Sequence, residues 1–336
     1  DPSGNVYVLG RRGQKIAKNP GRSGQFIILS YRDNGQTVEE YPIRIEEKNI
    51  VDLTFKINRD GNLICAGFYA NLGDNSIRGT YYKHIDINSK EVLLEGYADF
   101  DLGFITEQLP DRQRSRAEEA QRQGQLDKVP GLFEYNLRNI ILRSDGGAVL
   151  IAEQRFIDER AYYTNPGWNS PWAFRNPWGP WGGWGRWGGW NNWNNQREVD
   201  YHFNYNDVII VNIRPDGSIE WSSRIPKRQE TVNDGGFYSS FTSAISARSL
   251  LFIYNDHPAN LSSNANSNAL ATFTGSRGMP IVAEVSREGE VRRFGVEGQN
   301  QAVVLPRPKL SKQISSRKLL LYGENNRKFQ FGILSL

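Results

Sequence analysis

The side chains able to do chemistry are few and scattered. Three histidines occur, His84 and His202 in β-rich runs and His257 in a polar loop, and no two have metal-ligand spacing. His257 follows Asp256, which makes it the one loop histidine placed for proton transfer. Asp234, Asn255 and Asp256 carry oxygen atoms of the kind that ligate a hard cation such as calcium, and Asx side chains capping their own turns account equally for them. Glu153 and Asp234 form a candidate carboxylate pair for glycoside hydrolysis. There is no Gly-x-Ser-x-Gly element, phosphate-binding loop or dinucleotide fingerprint. No catalytic residue is assigned, and calcium is the sole cofactor alternative. The lone cysteine, Cys65, lies in the apolar run Leu63-Ile-Cys-Ala-Gly67 and reads as a buried structural thiol.

Binding chemistry is concentrated in one stretch. Eight of the nine tryptophans (Trp168, Trp172, Trp178, Trp181, Trp184, Trp187, Trp190 and Trp193) crowd between Tyr162 and Gln196. The last six recur every third residue through Trp-Gly-Gly and Trp-Asn-Asn steps. Period three fits an extended polyproline-II-like helix, which predicts a ridge of indoles; the compositional alternative is a low-complexity loop. Such a ridge suits a protein partner, a sugar ring or a membrane–water interface. A second polar stretch, Asp111 to Gly124, is rich in helix formers without an apolar stripe and predicts a short solvated helix or a docking arm for an acidic partner. Asn260-Leu-Ser262 has the form of a glycosylation sequon.

The elements that must hold these residues are β-strands. Turn signals at Asp33-Asn-Gly35, Asp60-Gly61, Asp145-Gly-Gly147, Asp216-Gly217 and Glu288-Gly289, with a weaker one at Asn88-Ser-Lys90, separate β-rich runs. They divide the chain into about five units of strands a to d: 5–45 (b, c, d), 50–97, 136–225 and 239–296 (each a to d), and 315–334 (a weak a, then b, c). The b runs, such as Ala148-Val-Leu-Ile-Ala152 and Ser249-Leu-Leu-Phe-Ile-Tyr254, are continuously apolar, as befits strands buried on both faces. Serial four-stranded antiparallel units predict an all-β chain with a β-propeller fold, residues 1–336 forming one domain whose terminal blades are incomplete. Insertions 100–135 (polar, partly helical) and 157–204 (Trp/Gly/Asn-rich) interrupt it. All the long connections are b–c or d–a, which leave a blade at one end, so one face is elaborated and the other plain.

Composition narrows the partners. A net charge of +4 from 41 basic and 37 acidic residues gives no nucleic-acid footprint. No run approaches the roughly 18 apolar residues of a membrane helix. The chain opens at Asp1 without a methionine and reads as a processed or truncated product, compatible with removal of an upstream targeting segment.

The strings Leu150-Ile-Ala-Glu-Gln154, Tyr205-Asn-Asp207, Pro215-Asp-Gly217, Ile225-Pro-Lys-Arg-Gln229, Asn233-Asp-Gly-Gly236 and Tyr254-Asn-Asp256 resemble an uncharacterised family of exported β-propeller-like proteins of the Bacteroidota. The resemblance runs from about Asp60 to the C-terminus and omits the Trp-rich insertion. It implies an extracytoplasmic location at the cell envelope and supplies no catalytic residue. The expectation is a non-catalytic interaction subunit of an outer-membrane complex that engages a protein partner through its long-loop face. The alternative is a carbohydrate-binding or carbohydrate-cleaving propeller.

Overall fold

Apolar residues on both faces of a strand require a sheet on either side, and the chain meets that demand by stacking sheets in sequence order. The computed structural model describes residues 4–12, 25–125, 128–164, 196–261, 269–275, 278–296, 304–325 and 328–336. Among them are five antiparallel sheets. Sheet one contains β1 (Val6–Arg12), β2 (Gln25–Arg32) and β3 (Thr37–Ile43), and sheet two contains β4 (Lys48–Ile57), β5 (Leu63–Asn71), β6 (Gly79–Ile85) and β7 (Val92–Asp99). Two helices follow, α1 (Leu102–Thr106) and α2 (Asp111–Arg122). Sheet three contains β8 (Tyr135–Leu142), β9 (Ala148–Thr164), β10 (Gln196–Ile213) and β11 (Ile219–Val232). Sheet four contains β12 (Phe241–Ile245), β13 (Ser249–Asp256), β14 (Met279–Ser286) and β15 (Val291–Gly295). Sheet five contains β16 (Lys312–Ser315), β17 (Lys318–Asn325) and β18 (Lys328–Ser335). Every sheet pairs its strands in chain order. The expected all-β architecture of serial antiparallel units is therefore present, unit for unit.

Strand periodicity divides each central strand between two interfaces. In β5, Leu63 and Cys65 face sheet one, whereas Ile64, Ala66 and Phe68 face sheet three. In β9, Leu150 and Ala152 face sheet two, and Val149 and Ile151 face sheet four. In β13, Phe252 and Tyr254 turn back to sheet three, and Leu251 and Ile253 turn forward to sheet five. Four layers of apolar side chains result, one per sheet junction. Cys65 is fully buried, and desolvation pushes its thiol up to about 12, so it packs as a small hydrophobe.

The insertions resolve differently from one another. Polar 100–135 contains the expected short helix, α2, with Asp111 in its first turn and Arg122 in its last, the order the helix dipole favours. Its alanines Ala117 and Ala120 are buried. In 157–204, by contrast, Ile157–Thr164 and Gln196–Phe203 are not loop. They pair residue for residue and prolong β9 and β10 into a long hairpin. The backbone hydrogen bonds of the ladder satisfy polar groups that a loop would leave to water. Likewise β11 runs on to Val232, beyond the expected end of that strand near Ile225. The tryptophan series from Trp168 to Trp193 lies outside the described residues.

Candidate functional site

An irregularity in sheet three organises the polar residues. Asn206 pairs with Arg228 and Val208 with Ile225, so Asp207 stands at a bulge opposite Pro226 and Lys227. Proline is tolerated there because the ladder asks no hydrogen bond of it. Bulges re-aim side chains, and this one points a carboxylate inward. Asp207 accepts the Lys227 backbone N–H at 3.2 Å and the Arg224 guanidinium at 3.4 Å.

Lys227 is completely buried and spends all three ammonium protons. They go to Glu153 Oε1 at 2.9 Å, the Tyr205 carbonyl at 2.8 Å and Gln229 Oε1 at 3.0 Å. Burial pulls the ammonium pKa below the ordinary lysine value, and Glu153 opposes that pull. The second oxygen of Glu153 accepts the Ser240 hydroxyl at 2.6 Å, and Ser240 N–H donates to Gln229 Oε1 at 2.8 Å. These two bonds hold Ser240 in a left-handed conformation (φ 77°), unusual for a residue with a Cβ. Gln229 then donates to the Asn255 carbonyl at 2.7 Å, and Asn255 Nδ2 donates to the Tyr238 and Pro306 carbonyls, both at 2.8 Å. A continuous hydrogen-bonded network thus passes from sheet three through sheet four to the connection into sheet five.

Arg224 secures the other side. Its guanidinium donates to Glu107 Oε2 at 3.0 Å, the Tyr135 hydroxyl at 2.6 Å and the Phe104 carbonyl at 2.8 Å, and stands 4.8 Å from the Phe104 ring centroid. It clamps the helical insertion to sheet three. Burial works against this cation, yet Tyr135, Asp207 and Glu107 together lift its pKa. Above the clamp opens a cleft of about 720 Å³, lined by Leu109, Phe133, Gln154, Phe156, Asn206 and Arg228 among others.

The network gathers residues from five of the six sequence strings: Glu153, Tyr205 and Asp207, Lys227 and Gln229, Gly236, and Asn255. The Asn233-Asp-Gly-Gly236 turn carries φ of 56° at Asn233, 67° at Gly235 and 66° at Gly236. A Cβ at Gly236 would lie 2.3 Å from the Tyr205 ring, so no other residue fits. The carbonyls of Gly235 and Gly236 accept from the Lys309 ammonium at 3.3 and 2.8 Å, which also donates to the Tyr205 hydroxyl at 2.8 Å.

That arrangement corrects the carboxylate-pair expectation and gives the other candidate residues their hydrogen-bond partners. Glu153 and Asp234 do not make a hydrolytic pair: Glu153 is sealed in an ion pair, and exposed Asp234 caps its own turn by accepting from Thr231 and from Gly236 N–H. Asp234, Asn255 and Asp256 each make internal hydrogen bonds of this turn-capping or carbonyl-linking kind. Asp256 accepts from His257 N–H at 2.8 Å and Asn260 Nδ2 at 2.7 Å, and burial raises its pKa against both bonds. Among the described residues no group of three His, Cys, Asp or Glu side chains could hold a metal. His257 Nδ1 accepts from Ala259 N–H at 3.2 Å and caps a short 3-10 turn, while His202 pairs with Glu230 at 2.7 Å. Asn260 is buried, donating to Asp256 and the Ala271 carbonyl and accepting from Ala271 N–H, so the sequon is closed to modification in the folded chain. Sequence reasoning missed Lys227, Arg224 and Gln229 as network residues. The usable signal was a lysine directly after proline, inside an otherwise strand-like run.

Comparison with known proteins adds little to this geometry. No protein family and no curated protein matches the chain. Among solved structures it is similar to a new-family polysaccharide lyase described as an ulvan lyase (TM-score 0.36, 9% identity, 99% of this chain and 64% of that one). It is similar too to a Synechocystis apocarotenoid oxygenase mutant (TM-score 0.32, 10% identity, 96% and 57%). A third is an exo-β-1,3-galactanase from Clostridium thermocellum (TM-score 0.28, 8% identity, 95% and 75%). The chain spans less than two thirds of the length of the lyase and the oxygenase, and likenesses this distant carry no argument about its chemistry.

Proposed function

We propose that the five sheets are successive blades of a β-propeller arc, and that the chain is a non-catalytic, extracytoplasmic interaction subunit of a cell-envelope complex. Sheets stacked in chain order support the propeller reading, as does the approach of their first strands, β4 to β8 and β12 to β16. One observation carries the functional reading. The long connections pack on one another and on strand β11: Ile77 pairs with Leu132 between two connections, Phe273 pairs with Gln229 of β11, and Glu107 accepts from Arg224 of β11. The plain end holds short turns packed on their neighbours, as where Trp221 donates to the Arg287 carbonyl. At the elaborated end the buried charges are committed to one another, which suits a rigid docking platform. The eight tryptophans fall between Thr164 and Gln196, the two ends of the long hairpin, and in this reading they are its contact residues. The test is co-purification from native envelope with wild type and with a variant lacking residues 165–195. A partner retained by wild type and lost by the variant supports the reading; identical protein sets from both would overturn the tryptophans' role.

A glycan-binding reading draws on the cleft, where exposed Phe133 stands near the amides of Gln154 and Asn206, the usual company of a sugar ring. Calorimetric titration with a panel of polysaccharides tests it, and a Phe133→Ala variant that binds as tightly as wild type removes it.

A further inference from the structure

The first strands of sheets three, four and five, β8, β12 and β16, border another cleft, of about 460 Å³. Its wall is cationic. Arg138, Lys309 and Lys312 line it, together with neutral residues such as Asn139, Ser243 and Gln313, and no Asp or Glu does. A bulge puts Arg138 there. Leu137 pairs with Ala152 and Asn139 with Ile151, so Arg138 drops out of the ladder, and neighbours that a regular strand would send to opposite faces both line the cleft. The Arg138 side chain is 34% exposed and meets one carboxylate, Glu153 at 3.8 Å, too far for a hydrogen bond. Glu153 is already bonded to Lys227 and Ser240. Lys309 is anchored on uncharged acceptors, the Tyr205 hydroxyl and the Gly235 and Gly236 carbonyls. Lys312 is exposed, and among the described residues its ammonium has no acceptor. Gln313 fixes the wall itself, bonding the Ile245 N–H and carbonyl of β12 at 2.9 Å each.

We propose that this cleft binds an oxyanion group, a carboxylate or sulfate, carried on an organic ligand the size of a sugar residue. Arg138 supplies a planar fork and Lys312 a point charge, the two donors best suited to such a group, while the asparagine amide and serine hydroxyl of Asn139 and Ser243 add neutral donors. Lys309 contributes fixed positive charge. A cleft of this volume lies within the range of organic-ligand sites. It shares no lining residue with the cleft at Phe133, and it rests on neither the docking platform nor the glycan reading of that other cleft.

Calorimetric titration of the 336-residue chain at low ionic strength tests this, with glucuronate, glucose 6-sulfate, inorganic sulfate and uncharged glucose as probes. At least one of the two charged sugars should bind, more tightly than inorganic sulfate and less tightly as salt is added, and glucose should not bind. Arg138→Gln and Lys312→Gln should each weaken that binding about tenfold. Arg138→Lys should lose less, and Arg248→Gln, at an exposed position beside a plain turn, should bind as wild type does. Arg138→Gln leaves Glu153 bonded to Lys227 and Ser240, and thermal melts confirm that each variant folds. Failure of both charged sugars to bind wild type would overturn the proposal, as would variants at Arg138 and Lys312 that bind as tightly as wild type. Inorganic sulfate bound as tightly as either sugar would overturn the organic ligand.

Discussion

Lys227 illustrates what a buried charge requires. Its ammonium is worth keeping only because Glu153, the Tyr205 carbonyl and Gln229 meet all three protons. Lys227→Met should therefore cost about 3–5 kcal/mol in urea unfolding by stranding Glu153, and pairing it with Glu153→Leu should recover most of that loss. Asp256 presents the opposite case, a carboxyl whose pKa burial raises from 3.8 despite two donors. Between the unfolded and folded pKa values the native state binds more protons, so this residue's contribution is fully present below about pH 4 and lost as pH rises through the folded value. Asp256→Asn, which can still accept both bonds, should be more stable than wild type at pH 7 and should flatten the acid side of the pH–stability curve. Thermal melts from pH 4 to 8 measure this; parallel curves for the two proteins would refute it. Little of this was legible beforehand. The partners of Lys227 lie 74 and 22 residues away as well as two, and a sequence displays a lysine without displaying what surrounds it.

At the scale of elements, strands were legible where both faces are apolar and obscure where neither is. The b-type strands β5, β9 and β13 stand out because a run such as Leu63-Ile-Cys-Ala has no solvated alternative. The hairpin beyond Ile157 pairs β9 with β10 as far as Thr164 and Gln196. Its residues Asp158-Glu-Arg160 are polar and mostly exposed, and backbone pairing extends the strands there with ion pairs from Arg160 to Asp158 and Glu230 rather than with apolar packing. Polar composition therefore concealed regular structure. The helical insertion relies on Arg224, whose guanidinium reaches Glu107 and Phe104 at once. Arg224→Leu should speed amide exchange across 102–122 while leaving β5 and β13 protected. Arg224→Lys should rescue it only in part, since an ammonium cannot reproduce the fork. Uniform loss of protection throughout the chain would mean instead that the clamp supports the sheets.

For the whole molecule, serial stacking explains why long connections collect at one end, and five of the six motif strings contribute to the network there, while Pro215-Asp-Gly217 forms a plain turn at the other end. Site-specific photo-cross-linkers placed on both ends test the claim of a docking platform most directly. Phe133 and Tyr201 report on the elaborated end, and Asp216 and Glu288 on the plain turns. Irradiation in native envelope should join one partner to Phe133 and Tyr201 and leave Asp216 and Glu288 unjoined. The same partner captured through Asp216 or Glu288, with Phe133 and Tyr201 silent, would contradict the account.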